Sequence, residues 1–105
     1  MFARVSTFEA VDLDAVERTK EEARRREEAL FQALPGWKGT LNLGDRSNGK
    51  VLSVSLFDTE EHLSAAEPAF EEEIPRLLGD LMQEWAGRRV SVERFEVLLE
   101  QRPSA

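Results

Sequence analysis

The chain contains no cysteine. Disulfides, thiolate nucleophiles and cysteine-bound zinc, haem-thioether or iron–sulfur sites are therefore excluded, which leaves the compartment open with the cytoplasm as the default. Histidine occurs once, so any imidazole chemistry has to use His62. Basic residues are the minority, 14 against 21 acidic, and the net charge of -7 repels a phosphate backbone from the molecule as a whole. Nucleic acid is not expected as a partner. No stretch reaches the roughly 18 apolar residues that span a bilayer, and MFARVSTFEA at the start has no basic segment followed by an apolar one. A soluble chain with no membrane partner is expected.

What is present is enough for one small domain. With 105 residues, 41% hydrophobic and 33% charged, the chain can build a single core under a heavily charged surface, and self-association would help it bury more. Residues 1–100 are read as that domain and 101–105 as a polar tail.

Patterning along the chain predicts the elements. Phe2 to Phe8 alternates as a strand, with Phe2, Arg4, Ser6 and Phe8 on one side and Ala3, Val5 and Thr7 on the other. Asp12 caps a long helix to Leu34 whose apolar stripe is Leu13, Val16, Ala23, Leu30 and Leu34, and Pro35-Gly36 stops it. Its other face, Glu17 to Glu28, mixes charges at helical spacing and reads as solvated, Glu27 included. Lys38–Leu43 and Lys50–Phe57 form a hairpin around Asn48-Gly49. Asp58 or Thr59 caps a second helix, interrupted by Pro68 and Pro75, with a wide stripe from Phe70 through Ile74, Leu77, Leu78, Leu81 and Met82 to Trp85. Val90 to Leu99 is the last strand.

Strand, helix, strand, strand, helix, strand gives an α+β, ferredoxin-like βαββαβ fold: a four-stranded antiparallel sheet with two helices on one face. The other sheet face carries apolar residues on several strands, and a second copy is its obvious cover.

Leu34-Pro35-Gly36-Trp37-Lys38-Gly39 after the first helix, and Val54-Ser55-Leu56-Phe57-Asp58-Thr59-Glu60-Glu61 leading into the second, resemble the corner and strand-end signatures of antibiotic biosynthesis monooxygenase-like domains. These belong to the dimeric α/β-barrel superfamily, and the resemblance runs from Phe2 to about Leu99. It implies a homodimer with sheets packed face to face and a mostly apolar pocket between sheet and helices. The activity it implies is binding of a small aromatic or polyketide-like ligand, with cofactor-independent monooxygenation as the enzymatic form. Haem-degrading members and members without a known reaction also exist. Phe57 stands where the family often has tryptophan, the first strand offers Arg4, Ser6 and Thr7 without asparagine, and there is no tyrosine. A catalytic set of asparagine, tryptophan and histidine therefore does not carry over.

The expected polar participants are His62 and Arg4 as catalytic residues, with Ser6, Ser55, Phe57, Phe70 and Trp85 lining the ligand. His62 can serve as a base or an axial haem ligand, or stand exposed in the first helical turn. Arg4 either binds an anion or carbonyl, or forms a salt bridge within the sheet with Glu93 or Glu96. Trp37 and Trp85 can pack or line a pocket. Without an acid–histidine relay no serine is a nucleophile. Glu71-Glu72-Glu73, and Asp80 with Glu84, point in several directions and read as solvated, so neither a metal nor a cofactor is expected. The non-enzymatic alternative is an accessory or stress-response dimer whose interior is filled by its own side chains.

Overall fold

The computed structural model describes residues 1–104; Ala105, the end of the expected tail, lies outside the described residues. β1 (Phe2–Glu9) is followed by α1 (Leu13–Ala33), β2 (Trp37–Asp45), β3 (Lys50–Phe57), α2 (Glu60–Ala65), a π-helical turn (Ala69–Glu73), α3 (Ile74–Trp85) and β4 (Arg88–Glu96). All neighbouring strands are antiparallel in the order β2-β3-β1-β4, which is the ferredoxin-like βαββαβ arrangement.

α1 begins where the Asp12 carboxylate accepts from the Ala15 amide at 3.1 Å. Of the expected stripe only Ala23 is fully buried, together with Ala15 and Phe31, while Leu13, Val16, Leu30 and Leu34 are half-buried. The small Ala23 lets α1 pack on α3, where it meets Leu78 and Leu81, flanked by Ile74, Met82 and Trp85. Arg26 fastens the same seam, donating to the Leu77 carbonyl and the Asp80 carboxylate. Asp80, read as solvated from sequence, is therefore one half of an interhelix ion pair.

The second helical region is broken as Pro68 predicts, but Pro75 does not interrupt it. The Ile74 amide reaches back to the Ala69 carbonyl, a wider turn that runs straight into α3. Pro75 then occupies the start of α3, where its missing N–H costs little. β4 also differs from expectation. It starts at Arg88 and ends at Glu96, with Val97 donating to the Met1 carbonyl at 2.8 Å and Leu98 and Leu99 left exposed outside the strand.

The register sorts the side chains by face. On the face away from the helices, Leu43 and Leu52 lie beside Thr7, Leu41 and Val54 beside Val5, and Leu56 beside Ala3 and Phe95. Leu41 is 58% and Phe95 49% exposed, so this apolar face is uncovered in the single chain.

Candidate functional site

The helix-facing side of the sheet has Phe8 and Val51 at one end and an aromatic cluster at the other. There Phe57 joins Leu63 and Ala66, ringed by Phe2, Leu34, Trp37 and Phe70. The next two cross-strand rows are Thr40, Ser55, Arg4, Arg94 and then Asn42, Ser53, Ser6, Val92. Seven of these eight are polar, so the sheet surface on which the expected mostly apolar pocket would rest is hydrophilic. The alternation of Ser53 and Ser55 with Val54 and Leu56 carried that signal in sequence.

A bulge builds the floor's edge. β2 holds one extra residue between Trp37 and Gly39, with Gly39 at φ 138°, which puts Trp37 and Thr40 on the same side although they are three apart. Trp37 Nε1 donates to Thr40 Oγ1 at 3.0 Å, and Thr40 Oγ1 lies 3.0 Å from Ser55 Oγ. An indole N–H can only donate, so the Thr40 proton is available to Ser55. Ser55 and Ser6 are both buried.

Arg4 is the buried charge of this floor. Its Nε donates to Glu67 at 2.9 Å, one terminal nitrogen to Glu71 at 2.7 Å, and the other to Ser6 Oγ at 2.8 Å. The guanidinium carbon also sits 4.4 Å from the Phe70 ring centroid. Glu93 and Glu96 are not its partners: Glu93 pairs with Val5 on the opposite face, and Glu96 lies beside Phe2. Glu67 also meets Arg94 at 3.2 Å and Glu71 meets Arg89 at 2.7 Å, so charges alternate in a chain Arg94–Glu67–Arg4–Glu71–Arg89. Arg89, with Arg4 behind it, holds the Glu71 carboxyl below the usual range, and Glu71 in turn raises Arg89. Glu71, read as solvated, thus serves structure. Its four-residue spacing from Glu67, across the π-helical turn, was the available signal.

Glu27 is the group that charge patterning hid. It falls four residues after Ala23, which packs on α3, and four before Phe31, which stacks on Trp37 at 5.1 Å. It is half-buried and makes no hydrogen bond or ion pair among the described residues, and burial alone pushes its carboxyl up to about 7.

His62 stands apart. Its Nδ1 lies 2.6 Å from Asp58 Oδ1, which holds that carboxyl below its usual range, and the ring is partly exposed at the start of α2. No hydrogen bond or ion pair links it to Arg4. Gly36 explains the pairing: its φ is 75°, its carbonyl accepts from the Asp58 amide at 2.9 Å, and a side chain there would strike both Asp58 and His62. Trp85 lies at the other end, its Nε1 donating to Thr19 Oγ1 at 2.8 Å. The structure thus gathers Arg4, Ser6, Ser55, Phe57 and Phe70 around one floor, while His62 and Trp85 lie outside it. The best-formed surface concavities are open ones, at Thr59, Glu60, Glu61 and Ser64 and around Val11, Asp14 and Arg46. Among the described residues, no cluster of three His, Asp or Glu could hold a metal ion, and no helix is long and apolar enough to cross a membrane.

No protein-family model and no curated protein matches the chain. Solved structures do. The monooxygenase from the gene ActVA-Orf6 of Streptomyces coelicolor, in complex with nanaomycin D, is similar over 98% of this chain and 92% of its own, with TM-score 0.70 and 17% identity. A dimeric ferredoxin-like protein from an uncultured marine organism matches 98% of this chain and 100% of its own, with TM-score 0.68 and 11% identity. The haem degrader MhuD of Mycobacterium tuberculosis, with two haems in its active site, matches 97% of this chain and 100% of its own, with TM-score 0.61 and 19% identity. The chain therefore has the ferredoxin-like fold of antibiotic biosynthesis monooxygenase-like proteins. The resemblance read from the two corner segments holds at the level of fold.

Proposed function

We propose that the chain is a homodimeric α/β-barrel protein of the antibiotic biosynthesis monooxygenase-like type, which binds a small, oxygen-bearing aromatic molecule between α1 and the sheet and oxidises it without a cofactor. The observation that carries this reading is the polar floor of Thr40, Ser55, Ser53 and Ser6 set beside Trp37 and Phe57. A sheet face roofed by helices is ordinarily apolar, and hydroxyls gathered there suit a ligand with several oxygens, its ring lying against the aromatic end. Arg4 donates to Ser6 and frees the Ser6 proton for such a ligand, so Arg4 acts here by positioning. Phe57 and Phe70 form the end wall; His62 holds the corner at Gly36. The ligand-bound monooxygenase of the same fold supports the choice of ligand class, and the dimeric relative supports closure of the bare sheet face by a second copy.

The test is titration with a hydroxynaphthoquinone, read by tryptophan quenching and by native mass spectrometry. Saturable binding of one ligand per protomer to a dimer is expected, weakened on the order of tenfold by the double variant Thr40→Val, Ser55→Ala, which removes two neutral hydrogen-bonding groups. Binding that is absent, or indifferent to those substitutions, refutes the reading.

The close filling of the aromatic end, where Phe31 stacks on Trp37 and Phe57 meets Phe70 edge-on, favours a second reading: an accessory dimer that carries out no reaction. A clean dimer mass with no bound ligand is its signature. An absorbance scan of the same sample tests the haem-binding alternative, in which His62 is the one available imidazole.

A further inference from the structure

We propose that Glu27 is the proton acceptor of the ligand site, the carboxylate that takes a C–H or O–H proton from an aromatic carbon or oxygen acid lying on the Thr40–Ser55 floor. The inference rests on the proposed function, in which that floor holds a ligand, and names the group that would act there.

Placement comes from the way α1 lies along β2. Near its start, Leu13 packs against Gly44, where an added Cβ would come within 3.2 Å of the leucine side chain. Near its end, Phe31 stacks on Trp37. α1 and β2 therefore run antiparallel, and the residues of β2 between those anchors that face the helices are Thr40 and Asn42. Glu27 stands one turn, about 6 Å, before Phe31 on the same face. Helical side chains lean toward the helix N-terminus, which here is the direction from Trp37 toward Thr40. Glu27 is thus on the turn of α1 that lies along Thr40 and Asn42, half-buried between Ala23 and Phe31 and without a hydrogen bond to the floor, whose edge at Asn42 is open to solvent.

The chemistry of that position is unusual for a surface helix. Three cations on the surrounding elements are already bound: Arg4 on β1 to Glu67 and Glu71, Arg26 on α1 to Glu22 and Asp80, Lys20 on α1 to Glu17. Arg18 on α1, Lys38 on β2 and Arg76 on α3 make no ion pair among the described residues, and none of them lowers the Glu27 carboxyl. β2 and β3 offer Thr40, Asn42, Ser53 and Ser55, which are neutral. Nothing compensates the Glu27 charge, and desolvation lifts its carboxyl to about 7. A carboxylate at its ordinary value is a feeble base. One poised near neutrality, partly dehydrated and unpaired, is suited to general-base work. In the step proposed, the ligand's C–H or O–H bond breaks, its electron pair stays on the ligand as an enolate or phenolate, and Glu27 becomes the neutral acid. His62, the other candidate base, is engaged by Asp58 and makes no hydrogen bond to the floor.

The test uses the full-length chain and nitrobenzisoxazole, an aromatic carbon acid. Removal of its ring proton by a base opens the N–O bond to a nitrile and a coloured phenolate, with no oxidant involved. Binding is read independently by tryptophan quenching. The wild type is expected to accelerate the opening over buffer, with a rate that rises with pH through about 7. Glu27→Gln is expected to lose on the order of a hundredfold in rate while binding the probe as before, and Glu27→Asp to recover part of it. Saturable binding with equal turnover by wild type and Glu27→Gln, or with none by wild type, overturns the assignment of the base and leaves the ligand site standing. Absence of saturable binding overturns both.

Discussion

Arg4 and Glu71 lie 2.7 Å apart and join the centre of the sheet to the π-helical turn. Arg4 is 4% exposed, so its charge is affordable only because Glu67, Glu71 and the Phe70 ring surround it. Arg4→Met is expected to destabilise the fold by about 3 kcal/mol, since it leaves two carboxylates facing a buried floor without their shared cation. Arg89→Ala removes an exposed member of the same chain and should cost less than about 1 kcal/mol. Urea unfolding of both variants checks this; equal midpoints would show that the network is not anchored at Arg4.

Glu27 makes stability depend on pH in an identifiable window. Its folded value is about 7 against an ordinary 4.5, so the folded state binds the proton more tightly than the unfolded chain does. The resulting stabilisation is fully present below the unfolded value and is lost as pH rises through the folded one. Glu27→Gln should therefore have nearly the wild-type stability at the acid end of this window and become the more stable protein above pH 7, by on the order of 1–2 kcal/mol once residual exposure is allowed for. Melting curves across the window read this directly, and parallel curves would mean that Glu27 is solvated.

The Gly36 corner depends on a backbone that favours glycine and on the absence of a side chain there. Its φ of 75° and the approach of Asp58 and His62 act together against any side chain. Gly36→Ala is expected to cost about 1–3 kcal/mol. His62→Ala should cost well under that, because the Asp58–His62 pair is largely exposed. A Gly36→Ala protein as stable as wild type would mean that the corner can rearrange without loss.

Much of this fold could be read in the sequence because local signals and tertiary demands agree. Asp12 and Thr59 cap helices that start just after them, Pro35-Gly36 ends α1, and the alternation through Lys50–Phe57 gives the register that puts Ser55 and Phe57 inside. The departures arise where a partner distant in sequence decides. Asp80 is held because Arg26 reaches it from α1, and Glu71 is an anchor because Arg4 lies opposite. Glu27 sits among nine other charged residues of a mixed-sign helix face, so only its place between Ala23 and Phe31 marks it as inward. The bulge that aligns Trp37 with Thr40 left no signal beyond Gly39.

The bare sheet face supplies the remaining prediction. Val54 lies at its middle, half-buried between Leu41 on one side and Val5 on the other, with Leu52 and Leu56 along its own strand. In the single chain this row faces water, so a lysine at that position can extend its amine into solvent and the protomer should fold normally. Across a two-fold interface the same row meets its own copy, and a lysine there would bring two uncompensated charges into an apolar contact. The wild type is expected to run at twice 11.9 kDa in light scattering at micromolar concentration, and Val54→Lys at 11.9 kDa with an unchanged far-ultraviolet spectrum. A monomeric wild type would remove the dimer. A dimeric Val54→Lys would move the interface to another surface, with β4 and the exposed Leu98 and Leu99 beyond it as the next place to look.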